Sequence, residues 1–551
     1  MKRAILFISA LALSGAVTAQ SGIKNAVVNV ENDYTPEVIE VSKKDFTPKD
    51  NTDTNSEPIL LIFSKEGKAY DGFTSETDIK DGMPQKEAGM PGYIRLGYGL
   101  TNDIDAKAAY RLKVGKSGCL KAYAGFDGFK SNINGLFSEW DSRLFKTTAG
   151  LDYTHRFKGL TLGVDGAFKN NVFNYQSTGL PAPYLTDKQD GQGYKVALSG
   201  TSSLSGAFSY HFKGEFVHIT RKYSTGRQAR IGESRYGIGG GFGYEMLKKH
   251  LSNLGIDLHI DALTYNGILK GAKKGYDNYL SIDVAPYSML KFGNWNLKAG
   301  VKMNFVTNEK EVFAIAPDIE AESNISEKAT LYGSVTGGRT ENGFERLESL
   351  TPYWGFTENG TGKLKPTYRI ADVKIGSRLS LEPLSIDINA GYAYTKDDLL
   401  ETLQPATSSS ELIYVDFGQE NTHHAYANLL LGCDLRSWVK LSATARYDFW
   451  NCSDKNLLIM KPQITVDANA EFRVMEHLTM RVGYNFTQYT KSETRERIGN
   501  RNDLYARISY QMGKRLGAYI QGNNLLNCRY YEYAGYQARG IRGSLGLTMN
   551  F

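Results

Sequence analysis

Over much of the chain apolar and polar residues alternate with a period of two, the mark of strands with one apolar face. In Ile104–Val114 one face carries Ile104, Ala106, Ala108, Tyr110, Leu112 and Val114, and the other Asp105, Lys107, Ala109, Arg111 and Lys113. Residues 297–305, 478–486 and 504–512 repeat the pattern. Their polar faces hold Lys298, Gly300, Lys302 and Asn304, then Thr479, Arg481, Gly483 and Asn485, then Tyr505, Arg507, Ser509 and Gln511. Runs of about nine to eleven residues suit a tilted strand crossing a hydrocarbon layer and exceed the ~5–6 of soluble sheets. A polar face mixing glycine with charge suits a wet lumen. A soluble β-sandwich would give shorter runs, with turns every ~8–12 residues.

About 22 such segments follow Pro91, and their connections alternate in length. Those after even-numbered strands are brief, near 115–118, 156–159, 202–206, 248–253, 292–294, 326–328, 382–383, 436–437, 476–477 and 513–515. Those after odd-numbered strands are often long, notably 132–143, 175–193, 341–365, 399–421 and 491–502. Bacterial barrels carry short turns on the periplasmic side and long loops outside, so the pattern predicts an all-β, transmembrane, antiparallel up-and-down barrel of about 22 strands over 91–551, both termini periplasmic.

The N-terminus fits export. Lys2 and Arg3 precede an apolar run to Val17, and Val17-Thr18-Ala19 forms a small-residue cleavage site, giving a signal peptide over 1–19. The run is too short for a spanning helix, and no later stretch approaches eighteen apolar residues. A composition of 41% hydrophobic and 23% charged residues argues against a helical membrane protein. Its formal charge of +6 gives no reason to expect nucleic acid, a partner that export also opposes.

The last strand, 541–551, ends on an aromatic residue, with Ile541, Gly543, Leu545, Leu547, Met549 and Phe551 on its outward face and Arg542, Ser544, Gly546, Thr548 and Asn550 inward. Together with Gly522-Asn523-Asn524-Leu525-Leu526-Asn527, Tyr530-Tyr531, Gly535-Tyr536 and Arg539-Gly540, it resembles the closing segment of TonB-dependent receptor barrels of Gram-negative outer membranes. Thr351-Pro352-Tyr353-Trp354-Gly355-Phe356 is a weaker echo. The resemblance is specific over the last 35 residues or so and architectural over the rest of the barrel. It implies solute uptake across the outer membrane. It also implies that Leu545, Leu547, Met549 and Phe551 form the signal read by the barrel-assembly machinery.

That family carries a folded plug ahead of its barrel. Residues 20–90 are too few for one and are interrupted by Pro36, Pro48, Pro58 and Pro84, so the expectation is a plug missing or reduced to a remnant, in the periplasm or lumen. Segments 23–30 and 38–41 have the β-prone character of an energy-coupling box, but any short β-prone segment shares it, so TonB coupling does not follow. A barrel of this width needs filling, by residues 20–90, by infolded outer loops or by a partner. Energised uptake works by moving the plug. Its reduction therefore opens an alternative, a non-transporting scaffold for a surface lipoprotein or a secretion or barrel-assembly complex.

One strand hints at internal packing. Within 235–245, Gly237, Gly239, Gly241 and Gly243 remove four successive side chains from the lumen face, which permits close approach by another element or merely relieves curvature. Lumen-facing cations are Lys107, Arg111, Lys113, Lys298, Lys302, Arg481, Arg507 and Arg542. They would either favour anionic solutes or pair with lumen acids such as Asp105, Asp165 and Asp387. Many of the 35 tyrosines are expected in two membrane-interface girdles.

Catalytic and metal chemistry find no support. His423 and His424 are neighbours on a strand and leave opposite faces. No nucleophile elbow or P-loop occurs, and no cofactor is expected. Cys119, Cys433, Cys452 and Cys528 show no metal spacing, and a Cys452–Cys528 bridge stays open.

Overall fold

The computed structural model describes residues 91–134, 139–177, 189–202, 207–225, 227–246, 251–266, 278–307, 312–355, 364–403, 412–435, 438–491 and 499–551. The expected signal peptide, the 20–90 segment and its energy-coupling candidates lie outside them.

The described chain winds into one closed barrel. Its first eleven strands are β1 (Gly92–Gly99), β2 (Ile104–Val114), β3 (Gly118–Asn134), β4 (Glu139–Arg156), β5 (Leu160–Phe173), β6 (Gln189–Ser202), β7 (Phe208–Thr225), β8 (Arg227–Glu245), β9 (Leu251–Asn266), β10 (Tyr279–Phe292) and β11 (Trp295–Val306). The rest are β12 (Phe313–Ser326), β13 (Ala329–Thr340), β14 (Thr367–Leu381), β15 (Leu384–Leu403), β16 (Val415–Leu435), β17 (Val439–Asn451), β18 (Pro462–Met475), β19 (Leu478–Tyr489), β20 (Arg501–Met512), β21 (Leu516–Asn523) and β22 (Arg542–Asn550). Each pairs antiparallel with its sequence neighbours, and β1 closes on β22 from Tyr93↔Asn550 to Gly99↔Ser544. Closure leaves no sheet edge, the only β-arrangement a bilayer tolerates.

All ten connections after even-numbered strands hold two to five residues and gather at one end, here the turn end. The loop end is less loop-rich than its sequence suggests. Pairing of β3 with β4 continues to Asn134↔Glu139, so the expected 132–143 loop is mostly hairpin. Likewise β15 and β16 remain paired to Leu403↔Val415. The reason is burial: above the membrane Phe129, Ile133, Leu144, Leu399, Val415 and Phe417 enter one apolar cluster in the mouth, which repays continued pairing.

The outer face of the wall is apolar. On β8 it reads Tyr236, Ile238, Gly240, Phe242 and Tyr244, with Ile238 and Phe242 each 68% exposed. Left in water, each such side chain would forgo about 1.5–3 kcal/mol of burial, so this face belongs against lipid. Aromatic pairs bound the belt. Phe168–Tyr194 (5.2 Å between ring centres), Phe216–Tyr236 (5.1 Å) and Phe305–Phe313 (4.8 Å) stand toward the loop end, and Phe208–Tyr244 (4.8 Å) and Tyr110–Phe551 (6.0 Å) toward the turn end. Tyr236 to Tyr244 is eight residue steps, about 20 Å of rise on a strand tilted ~40°, close to the expected apolar band.

A second population of tyrosines lies inside. Tyr123, Tyr287, Tyr332, Tyr426, Tyr505 and Tyr519 stand directly across from Gly150, Gly255, Gly376, Gly391, Gly483 and Gly546, and each ring covers its glycine on the lumen wall. Cross-strand aromatics thus fill the gaps that glycine leaves. A Cβ at Gly391 would collide with the Tyr426 ring and stand 2.7 Å from the Val373 carbonyl oxygen, whereas one at Gly166 meets nothing nearer than 4.0 Å. Gly391→Val should therefore cost about 1–3 kcal/mol, read as a lower temperature for losing heat-modifiable gel migration, and Gly166→Val should leave it unchanged.

Candidate functional site at the mouth of the barrel

Numbering loops by the strand pair they join, the described part of the seventh loop, 341–355 and 364–366, does not project outward. It folds into the mouth as one short helix, α1 (Phe344–Leu350), followed by a turn through Thr351, Pro352, Tyr353, Trp354 and Gly355. Seven residues are too few to hold a helix in water, so packing must do so. Phe344, Leu347 and Glu348, at i, i+3 and i+4, form the buried face, while Arg346, Ser349 and Leu350 look into the lumen.

The helix start is capped from the wall. Gly343 has no capping side chain, and Glu233 on β8 instead accepts the Phe344 N–H through Oε2 at 2.9 Å. A Cβ at Gly343 would stand 2.7–2.8 Å from both Glu233 oxygens, so glycine is what lets the carboxylate close in. A negative charge here complements the exposed N–H groups of the first turn.

Arg221 on β7 holds the other end of the helix. It is wholly buried and donates through Nη1 to Glu348 Oε1 (2.7 Å) and through Nη2 to the Pro352 carbonyl (2.6 Å) and the Tyr175 hydroxyl (3.0 Å). Its guanidinium also lies over the rings of Trp354 (4.3 Å) and Phe173 (4.7 Å). Glu348 receives a further bond from Asn171 Nδ2 at 3.3 Å. One planar fork thus ties wall, helix and turn together, an arrangement lysine cannot reproduce. Nearer the girdle, Arg235 bridges Glu215, Asp261 and, at 2.9 Å, Glu345 of α1.

Other loops complete the lid. The Tyr175 hydroxyl donates to the Trp354 carbonyl (2.6 Å), and Tyr353 stacks on Tyr536 of the eleventh loop at 3.8 Å and 8°. Trp354 bridges to Val415, while strand pairs join Gln176–Ser177 of the third loop to Leu412–Ile413 of the eighth. The outcome is a folded lid with its own apolar core. Below and beside it lies a partly open cavity of about 1870 Å³, lined by both signs of charge.

Two buried groups under the lid are held away from their ordinary ionisation. Both stand beyond the loop-end girdle, outside the spanning segments. Burial pushes the Glu233 carboxyl up to about 7, against the helix N–H groups and the Tyr265 hydroxyl that favour its charge. Burial also brings the Lys169 ammonium down to about 8, with Glu348 opposing.

The residues singled out from sequence scatter around the wall. Lys298 and Lys302 are brought together on one carboxylate, Asp318, at 2.8 and 3.3 Å. Arg481 meets Glu471 at 2.7 Å, and Arg507 lies 4.0 Å over the Tyr519 ring with Nε donating to Ser509. Lys107 faces Arg95 and Gly125 in register, Arg542 faces Asn523, and Arg111 and Lys113 are exposed near the turn end. Asp105 and Asp387 bind other cations, Arg95 at 2.8 Å and Arg378 at 3.4 Å.

The glycine column is covered by polar side chains of its own neighbours. A Cβ at Gly237, Gly239, Gly241 or Gly243 would strike Asp261, His259, the Asp257–His211 pair or Ser209 respectively. Leu545, Leu547, Met549 and Phe551 line the lipid-facing edge of the closing strand, where Phe551 stacks on Tyr110. Asn524 and Asn527 of the closing motif take left-handed backbone (φ 47° and 51°), and the Asn524 amide braces the eleventh loop through Cys528 and Arg539.

His423 lies outward against Tyr392 (2.6 Å), and His424 inward on Asp448 (2.6 Å) beside Trp450. All four cysteines are free, so Cys452 and Cys528 are not bridged. Among the described residues no cluster of three or more His, Cys, Asp or Glu is arranged to hold a metal.

Sequence reasoning missed Arg221, Glu348, Glu233 and Lys169. One signal was available. The inward face of β7 reads Ser209, His211, Lys213 and Glu215, then turns apolar at Val217 and Ile219, as a wall does where something packs against it.

No family model and no curated protein matches the sequence. Solved structures do match the fold. The siderophore receptor PirA from Pseudomonas aeruginosa superposes with a TM-score of 0.61 at 10% identity, over 84% of this chain and 80% of that one. The FrpB iron transporter from Neisseria meningitidis gives 0.63 at 10%, over 86% and 83%. The ferric-catecholate import receptor Fiu from E. coli K12 gives 0.62 at 7%, over 84% and 82%. The fold is that of a TonB-dependent receptor barrel. At such identities the likeness is one of architecture alone, and no site residue carries over from it.

Proposed function

We propose that this chain is an outer-membrane receptor-type barrel, without enzymatic activity, that binds a solute at its outer loops and admits it through the lumen. Its turn end and both termini face the periplasm. The observation that carries the reading is the lid: the described parts of the third, seventh, eighth and eleventh loops form a cored unit inside the mouth, beside a cavity of about 1870 Å³ lined by both signs of charge. A scaffold would need no charge-lined space beside a separately latched closure. Support also comes from the fold neighbours, which are named as siderophore receptors and an iron transporter.

The reduced plug over 20–90 belongs to the same proposal, with the lid supplying closure at the mouth. So does insertion by the barrel-assembly machinery through the β22 edge. TonB coupling does not form part of it.

The test compares cells with and without the chain for accumulation of labelled iron complexes and small carboxylates. Chain-dependent accumulation of at least one compound is expected. Equal accumulation throughout, with a lipoprotein co-purifying in stoichiometric amount from a gentle detergent extract, would reject uptake in favour of the scaffold.

A further inference from the structure

The turn end carries a charge pattern that neither lid nor lumen uses. Lys113 and Lys116 lie at the first turn, Lys291 at the fifth and Lys328 at the sixth. Lys440 and Arg473 adjoin the eighth and ninth, and Lys514 and Arg515 form the tenth. All eight are exposed, and none lies within 4.0 Å of a described carboxylate, although Lys440 faces Asp434 and Glu471 across the neighbouring strands. The described acids at this rim are fewer: Glu245, Glu327, Glu382, Asp434 and Glu476. Among the described residues of the loop end several surface charges do pair, as in Lys130–Asp141 (3.2 Å), Arg230–Asp190 (2.8 Å) and Lys365–Asp397 (2.9 Å).

Position decides what these cations meet. Each stands within a few residues of an exposed apolar or aromatic side chain at the edge of the lipid belt: Val114, Phe292, Ile325, Trp438, Met475 and Leu516. Aromatic and apolar residues there lie at headgroup level, so a lysine or arginine just beyond them reaches the phosphates. The cations occupy an arc from the fifth turn through the tenth to the first, more than half of the perimeter, and none of the eight is at the second to fourth turns or the seventh. A docked protein covers one patch, whereas a lipid leaflet meets every turn along such an arc.

We infer that the turn-end rim binds the phosphodiester headgroups of anionic phospholipid in the periplasmic leaflet, so that the barrel gathers an acidic lipid shell on that side. Each headgroup is held by a lysine or arginine beside an apolar anchor. A cation near an anionic surface contributes about 1 kcal/mol, which is about fivefold in local association. The inference rests on the membrane placement given under the proposed function but not on uptake, so either can fail alone.

The test uses the full chain in phosphatidylcholine vesicles doped with spin-labelled phosphatidylglycerol or spin-labelled phosphatidylcholine. The relative association constant is read from the motionally restricted lipid signal. The wild type should prefer phosphatidylglycerol by about twofold to fivefold, and 1 M salt should reduce the ratio toward unity. The quadruple variant Lys116→Gln, Lys328→Gln, Lys514→Gln, Arg515→Gln should lose most of the preference while keeping heat-modifiable migration.

Three outcomes would overturn the inference. One is no preference in the wild type. Another is a preference unchanged in the variant, which would place the lipid elsewhere. The third is no lipid preference but variant-sensitive binding of poly-glutamate, which would make the rim a dock for an acidic protein.

Discussion

Arg221→Ala should release the seventh loop from the mouth while leaving the barrel folded. The substitution removes the Glu348 ion pair, two further hydrogen bonds and the stacking on Trp354 and Phe173, and it leaves the Glu348 carboxylate buried beside Asn171 and Lys169 without its guanidinium partner. Removing one partner of a buried pair costs about 3–5 kcal/mol, more than a seven-residue helix gains from its own hydrogen bonds. Trypsin cleavage after Arg346 should therefore accelerate by two orders of magnitude or more, with heat-modifiable migration unchanged. Arg221→Lys keeps the charge but loses the planar fork and should fall between the two. Equal cleavage of wild type and Arg221→Ala would show that the latch contributes nothing.

Docking of the lid should also depend on pH, with a minimum near neutrality. Glu233 titrates near 4.5 when solvated and near 7 beneath the lid. Between those values the docked state holds a proton that the undocked state has lost, so docking weakens as pH rises, by about 3 kcal/mol in all. Lys169 falls from 10.5 when solvated to about 8 when docked. Between 8 and 10.5 the undocked state binds the extra proton, so docking strengthens again by a similar amount. Hydrogen-exchange protection factors of the α1 amides should trace this shape. Glu233→Gln keeps an acceptor for the Phe344 N–H and should flatten the acid arm, and Lys169→Met should flatten the alkaline one. Protection that is constant from pH 5 to 10 in the wild type would refute the assignment.

The barrel was readable because its rule is local. Each strand declares its two faces by a period of two, and each turn interrupts that period, so the ten short connections and the outward edge Leu545, Leu547, Met549 and Phe551 follow from neighbouring residues alone. The closing motif was visible only by its resemblance to a known family, and the structure supplies a physical reason for two of its residues: Asn524 and Asn527 occupy left-handed backbone, which asparagine tolerates better than most residues. Loop lengths were overestimated where strand pairing continues above the membrane, since polar hairpin residues there read as loop.

The mouth was not readable. Arg221 and Glu348 lie 127 positions apart, and nothing beside either residue names the other. Nor does a lone glycine announce its role. Gly343 admits the Glu233 carboxylate, Gly391 a tyrosine ring and Gly241 an aspartate with a histidine, three neighbours that only the register reveals. The tyrosines divided for the same reason, since alternation assigns a face but not what the opposite strand leaves empty.

Conductance in planar bilayers tests most directly whether the chain's own loops close it. Purified wild type should show no steady conductance, and Arg221→Ala should open discrete steps that tryptic removal of the exposed loop makes permanent. An Arg221→Ala barrel as silent as the wild type while its α1 amides exchange freely would contradict the account, because the lid would then be off and the lumen still shut.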